Sequence, residues 1–208
     1  MRKNFNSILY FIADPSLCRG RAVEDVVAAA LRGGVTMMQY RDKSQDKNEI
    51  LQQAKILKKL CESCHIPFLI NDHVDIAREI DADGVHLGQG DMDPAEARCL
   101  LGPDKIIGLT AFTEKQIGKV DPALIDYIGT GPVYPTKTDK GKPVLGVQKF
   151  AELIQHATVP VVGIGGVTPE NAPAVLDAGA AGVAVMRAIS EADDPEAAAR
   201  RLRQVLSF

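Results

Sequence analysis

The sequence predicts a single-domain α/β protein, a (β/α)8 TIM barrel over residues 1–208. Three observations predict it. Short β-branched apolar runs alternate strictly with helical stretches, eight of each, which calls for right-handed βαβ crossovers and a parallel sheet. The runs Val159–Ile164 and Gly182–Met186 are apolar almost throughout, as strands buried on both faces are. Eight such units use up the 208 residues without a linker or low-complexity segment. That favours closure over an open sheet and suits a barrel of about 200 residues or more.

Taken in order, strands are expected at Ile8–Ala13, Val35–Tyr40, Pro67–Ile70, Gly84–Leu87, Ile106–Thr110, Tyr127–Thr130, Val159–Ile164 and Gly182–Met186. Helices are expected at Val23–Arg32, Asp46–Ser63, Val74–Ile80, Pro94–Leu101, Glu114–Val120, Val147–His156, Pro169–Asp177 and Pro195–Leu206. Pro94, Pro169 and Pro195 open helices, where a missing N–H costs little. Thr168 and Asp194 precede two of these prolines as N-caps. Gly33-Gly34 closes the first helix and Gly179 the seventh. One long irregular stretch, Gly131–Gly146, follows strand six and lies on the C-terminal face, where barrel active sites are built. It is expected to close over bound substrate.

Composition narrows the function classes. Hydrophobic residues make up 46% of the chain, charged residues 25%, and the formal net charge is −3, ordinary values for a globular protein. No Lys/Arg-rich run suggests a nucleic-acid partner, and no apolar stretch approaches the roughly 18 residues of a membrane span. The run Ile8–Ala13 is too short for a signal sequence and is cut off by Asp14 and Pro15. A cytoplasmic protein is expected, as a monomer or a homodimer. The four cysteines, Cys18, Cys61, Cys64 and Cys99, read as reduced structural thiols. Cys61 and Cys64 form a C-x-x-C late in a helix, with no second pair to complete a zinc site.

If the alternation holds, the residues after each strand share one rim. Side chains two apart share a face, so Gln39, Arg41 and, if strand two persists that far, Lys43 point the same way. Asn71-Asp72 follow strand three, His86 to Asp91 strand four, Thr110 ends strand five, and Gly131 to Lys140 follow strand six. Gly165-Gly166 after strand seven and Met186-Arg187-Ala188 after strand eight occupy the usual barrel phosphate position, where backbone N–H groups cradle an anion. Arg41 and Lys43 supply positive charge. Asp72 and Asp91 would repel an anionic ligand unless a divalent cation lies between, and Mg2+ is commonly held by one or two carboxylates plus substrate phosphates. The four together predict a diphosphate–Mg2+ substrate; taken singly, each Asp also reads as a helix N-cap. His86 reads either as a base or as a hydrogen-bonded packing residue. No Ser-His-Asp or Cys-His arrangement and no P-loop is present.

In this arrangement the segments Gln39 to Lys43, Leu69 to Asp72, Asp83 to Asp91, Asp126 to Thr138 and Pro160 to Gly166 resemble the thiamine phosphate synthase family, in order and over nearly the whole chain. The resemblance implies condensation of hydroxymethylpyrimidine diphosphate with hydroxyethylthiazole phosphate, with Mg2+ assisting a dissociative departure of pyrophosphate. It implies that Asp72 and Asp91 hold Mg2+, that Arg41, Lys43, Asn71 and Thr110 contact the pyrimidine diphosphate, and that Gln39 lies near the pyrimidine. Arg41, Lys43 and Thr110 would be the catalytic groups. Thr136 and Thr138, with Gly166 and the backbone at Met186 and Arg187, would contact the thiazole phosphate. Three departures stand out: Asp139 replaces a family lysine, with Lys140 next to it as a substitute; Arg187 replaces a serine; and Thr110 replaces another serine, keeping the hydroxyl. The rivals are a thiazole tautomerase of the same barrel type, whose His after strand five is missing from Thr110-Ala111-Phe112, a sugar-phosphate epimerase, and a non-catalytic module binding thiazole phosphate or thiamine phosphate.

Overall fold

Eight parallel strands pair in sequence order and the last returns to the first, closing the barrel. The computed structural model describes residues 5–44, 46–138, 141 and 143–207. The strands are β1 (Leu9–Ala13), β2 (Met37–Tyr40), β3 (Phe68–Asn71), β4 (Gly84–Leu87), β5 (Ile106–Thr110), β6 (Tyr127–Thr130), β7 (Val161–Ile164) and β8 (Gly182–Val185). The helices are α1 (Val23–Arg32), α2 (Lys47–Ser63), α3 (Val74–Glu79), α4 (Pro94–Leu101), α5 (Glu114–Ile117), α6 (Gly146–Ile154), α7 (Ala172–Asp177), α8 (Arg187–Ser190) and α9 (Pro195–Val205).

The predicted alternation is therefore present, with local corrections. α5 stops three residues early, where Gly118 caps it with its N–H on the Glu114 carbonyl. α7 begins at Ala172 and not at Pro169. Thr168 is not its cap: the Asn171 side chain accepts from the Thr168 N–H and donates to the Gly166 carbonyl, which keeps residues 168–171 as a turn. Asp194 does cap α9, accepting from the Ala197 N–H at 3.0 Å. Two short elements escape the periodicity, a 3-10 turn at Pro15–Leu17 and α8, because three or four residues carry too little pattern.

Period-two alternation divides the strand residues into two cores. Leu9, Phe11, Met38, Tyr40, Phe68, Ile70, Val85, Ile107, Ile128, Val161, Val183 and Val185 face outward and pack against the helices. Tyr10, Ile12, Met37, Leu69, Ile106, Tyr127, Val162 and Ala184 fill the barrel. Gly108 makes room for one of them: a Cβ there would lie 2.1 Å from the Tyr127 ring.

The first and last units are joined at a seam. Arg21 donates to the carbonyls of Cys18, Ser190 and Ala192, so one guanidinium ties the turn before α1 to the segment between α8 and α9. Gly33 lets α9 approach α1, since a Cβ there would meet Ala199 Cβ at 2.5 Å.

Candidate functional site

The rim is built from the ends of neighbouring strands. Asp14, one residue past β1, is buried. Its Oδ1 accepts from the Ser16 amide at 3.0 Å, and its Oδ2 takes the Arg41 guanidinium in an ion pair. Arg41 follows β2, so its side chain is aimed by the strand next door. Tyr40, facing the other way, donates its hydroxyl to Asp42 at 2.8 Å. Two residues beyond Arg41, Lys43 reaches Asp72 after β3 at 2.5 Å. β2 ends at Tyr40, so Lys43 lies beyond the strand, while Gln39 within it is buried.

Asp72 has φ +61°, a left-handed conformation that non-glycine residues adopt sparingly. The backbone there is held by its N–H on the His86 carbonyl, 2.9 Å away on β4. Neither Asp72 nor Asp91 caps a helix: α3 has no side-chain cap, and α4 is capped by Asp93. Asp91 instead accepts from the Gly88 N–H at 2.6 Å and is hydrogen-bonded to Asp72. Burial, then the Asp72 carboxylate, push the Asp91 carboxyl above its ordinary value. Burial also raises Asp72, but the hydrogen bond from Asp91 and the ion pair with Lys43 outweigh it and hold Asp72 low. The two carboxyl groups compete for a proton, and the opposed directions of their shifts favour Asp91 over Asp72 as its holder.

Beneath this charged edge lies an uncharged chain. Gln39 Nε2 donates to Tyr10 Oη at 2.5 Å, and Tyr10 Oη is 2.8 Å from Tyr127 Oη. Tyr127 Oη is 2.8 Å from His86 Nδ1, and His86 Nε2 is 2.9 Å from Thr110 Oγ1. Burial pulls the His86 imidazole down to about 4, so the ring is neutral at physiological pH. Its packing-residue reading is thereby favoured over that of a base. Gln89 closes over the strand end, donating to the Thr110 carbonyl at 2.6 Å.

On the opposite side, the loop after β6 and the turn after β7 are zipped together. Val133 and Tyr134 donate to the Ile164 and Gly165 carbonyls at 2.9 and 3.0 Å. Gly165 and Gly166 have φ of +97° and +64°, and a Cβ on Gly166 would stand 2.4 Å from the Pro135 carbonyl oxygen. Here glycine is required by both conformation and space. Thr136 Oγ1 accepts from the Thr138 N–H at 3.3 Å, and Arg187 at the start of α8 donates from Nε to Thr138 Oγ1 at 3.0 Å while pairing with Glu191. Thr136, Thr138 and Arg187 are thus linked, Gly166 packs against Tyr134 and Pro135 just before them, and Met186 immediately precedes α8. Asp139 and Lys140 lie outside the described residues.

Asp14 occupies the rim after β1 just as the residues after the other strands do, although in the sequence it reads only as the end of an apolar run. Tyr10 and Tyr127 are missed because they sit mid-barrel, where a tyrosine reads as core.

A family model described as thiamine monophosphate synthase matches residues 9–189. The thiamine-phosphate synthase of Azorhizobium caulinodans is 41% identical over 204 residues, covering 97% of this chain and 96% of its own. That of Bacillus velezensis is 42% identical over 209 residues, covering 98% and 92%. Among solved structures, the thiamine phosphate pyrophosphorylase from Pyrococcus furiosus matches with a TM-score of 0.87 at 33% identity, covering 97% and 96% of the two chains.

Proposed function

The chain belongs to the thiamine monophosphate synthase family, and from that premise we propose that it is a transferase joining hydroxymethylpyrimidine diphosphate to hydroxyethylthiazole phosphate, with release of pyrophosphate. Both substrates are small molecules. No helix among the described residues is long and apolar enough to cross a membrane.

The observation that carries this reading is the edge Arg41–Lys43–Asp72–Asp91, two cations and two carboxyl groups carried past the ends of β2, β3 and β4. Substitution at the pyrimidine methylene needs no nucleophile–base pair. The carbon–oxygen bond breaks with its electron pair on the diphosphate, and the thiazole nitrogen supplies the pair for the new carbon–nitrogen bond. What the protein must supply is leaving-group stabilisation and alignment. Arg41 and Lys43 offset the growing charge on the diphosphate, with Asn71 and Thr110 as hydrogen-bonding partners. Gln39 orients the pyrimidine from below. Thr136, Thr138, Gly166, Arg187 and the backbone at Met186 hold the thiazole phosphate across the barrel.

Asp72 and Asp91 fit Mg2+: they are hard oxygen donors that compete for a proton where a cation would relieve their repulsion, and substrate phosphates can complete such a site. When bound, the ion neutralises charge on the diphosphate as it departs.

The test is pyrophosphate release in the presence of both substrates, with Mg2+ or with EDTA, in the natural protein and in Asp72→Ala. Release that needs both substrates and Mg2+ and falls by orders of magnitude in the variant is expected. A folded protein that binds thiazole phosphate without releasing pyrophosphate would overturn the reading.

A further inference from the structure

The buried chain Gln39–Tyr10–Tyr127–His86–Thr110 has a direction. Each tyrosine and threonine hydroxyl carries a single proton, and a neutral imidazole carries one on one of its two nitrogens. Gln39 donates Nε2–H to Tyr10 Oη. Tyr10 is 1% exposed, and its own proton has one acceptor along the chain, Tyr127 Oη at 2.8 Å. Aimed elsewhere it would be a buried, unpaired donor, which is costly. With Tyr10 donating to it, Tyr127 spends its proton on His86 Nδ1. The imidazole then holds its proton on Nε2 and gives it to Thr110 Oγ1. The Thr110 proton is the one left over, and Thr110 stands at the end of β5, on the rim.

We infer that Tyr10, Tyr127 and His86 are positioning residues that fix the His86 tautomer and thereby oblige the Thr110 hydroxyl to act as a hydrogen-bond donor toward the substrate. Resting on the synthase reading, this makes Thr110 a preset donor for the diphosphate oxygen that gains charge as the carbon–oxygen bond breaks. A hydroxyl free to turn would lose part of that benefit to reorientation, whereas a preset one loses none. Two glycines admit the device. Without Gly108 the Tyr127 ring could not lie across β5, and a Cβ on Gly129 would press on the His86 ring at 3.3 Å.

The first arm of the test needs no substrate. Nitrogen-15 NMR of histidine-labelled protein, with His86 assigned through His86→Gln, is expected to show the Nε2–H tautomer, and Tyr127→Phe to release it to a mixture. An Nδ1–H tautomer in the natural protein would reverse the chain and overturn the inference. The second arm is kinetic. Removing the preset donor outright in Thr110→Val is expected to lower kcat about 100-fold, and Tyr127→Phe, which leaves part of the imidazole as Nε2–H, should lower kcat by a clearly smaller factor, with KM for the diphosphate nearly unchanged in both. The double variant should be no slower than Thr110→Val alone, and Thr110→Ser, which keeps the hydroxyl, should lose far less than Thr110→Val. A folded Tyr127→Phe with natural kcat, or losses that multiply in the double variant, would sink the proposal. Failure of the natural protein to release pyrophosphate would instead count against the synthase reading, and the tautomer would still decide the direction of the chain.

Discussion

The Arg41 guanidinium, after β2, is ion-paired with Asp14, after β1, and that aspartate is 4% exposed. A buried carboxylate fixes where the cation stands, while the cation remains at the edge of the site. Asp14→Ala is expected to destabilise the fold by about 1–3 kcal/mol, because Arg41 and the Ser16 amide lose their acceptor. Misplacing Arg41 should also lower kcat/KM for the diphosphate by about 100-fold. Denaturant unfolding and steady-state kinetics measure the two effects. Lost stability with unchanged kinetics would confine Asp14 to a structural role.

The Asp72–Asp91 pair should make metal binding depend on pH. A carboxyl whose folded pKa is raised, as Asp91's is, stabilises the fold while protonated and loses that contribution as pH rises through the raised value. Asp72 is lowered, so its contribution is present above its ordinary value and lost as pH falls. In EDTA, Asp91→Asn is therefore expected to raise the melting temperature at neutral pH. Mg2+ with pyrophosphate should stabilise the natural protein more at about pH 7.5 than at about pH 5, where protons compete for the same oxygens. Equal melting shifts at both pH values would contradict this.

Gly166→Ala should act on one substrate. The added methyl meets the Pro135 carbonyl and Tyr134, and φ of +64° is strained for alanine. A loss of about 2–4 kcal/mol is expected from strain and clash together. Displacement of the loop after β6 should raise KM for thiazole phosphate and leave that for the pyrimidine diphosphate. A parallel rise in both KM values would refute the assignment of this corner.

The cysteines should sort by burial. Cys64 and Cys99 are exposed, whereas Cys18 and Cys61 are buried and all four are free. Burial pushes the Cys18 and Cys61 thiols up, and only thiolates react readily. A thiol reagent is expected to titrate Cys64 and Cys99 rapidly in the folded protein and all four cysteines after denaturation. Rapid loss of the Cys61 thiol would show that α2 opens locally.

Most of the rim was legible because parallel strands place their ends on one edge whatever lies between them. Asp72 and Asp91 stand out as carboxylates where an anion was expected, and Gly165-Gly166 as flexibility where a phosphate was expected. Asp14 was not read because it looks like the stop of an apolar run, and its role depends on an arginine 27 positions away. The polar chain was less legible still. Tyr10 and Tyr127 are 117 positions apart, and only barrel closure makes them neighbours. Short elements failed for a different reason: α8 and the turn at Pro15–Leu17 are defined by hydrogen bonds to flanking segments, not by a repeating face.

The Arg21 clasp has a bearing on synthesis. Its acceptor at Ser190 lies 169 positions further along, so a ribosome must deliver all eight strands before the clasp can engage. Until β8 emerges, the free edge of β1 has no partner, and an unpaired edge is a template for wrong pairings. Contacts this distant in sequence form slowly. The interval between translation of the first and last units is therefore when the nascent chain is most exposed to aggregation, and when a chaperone covering β1 would have most effect.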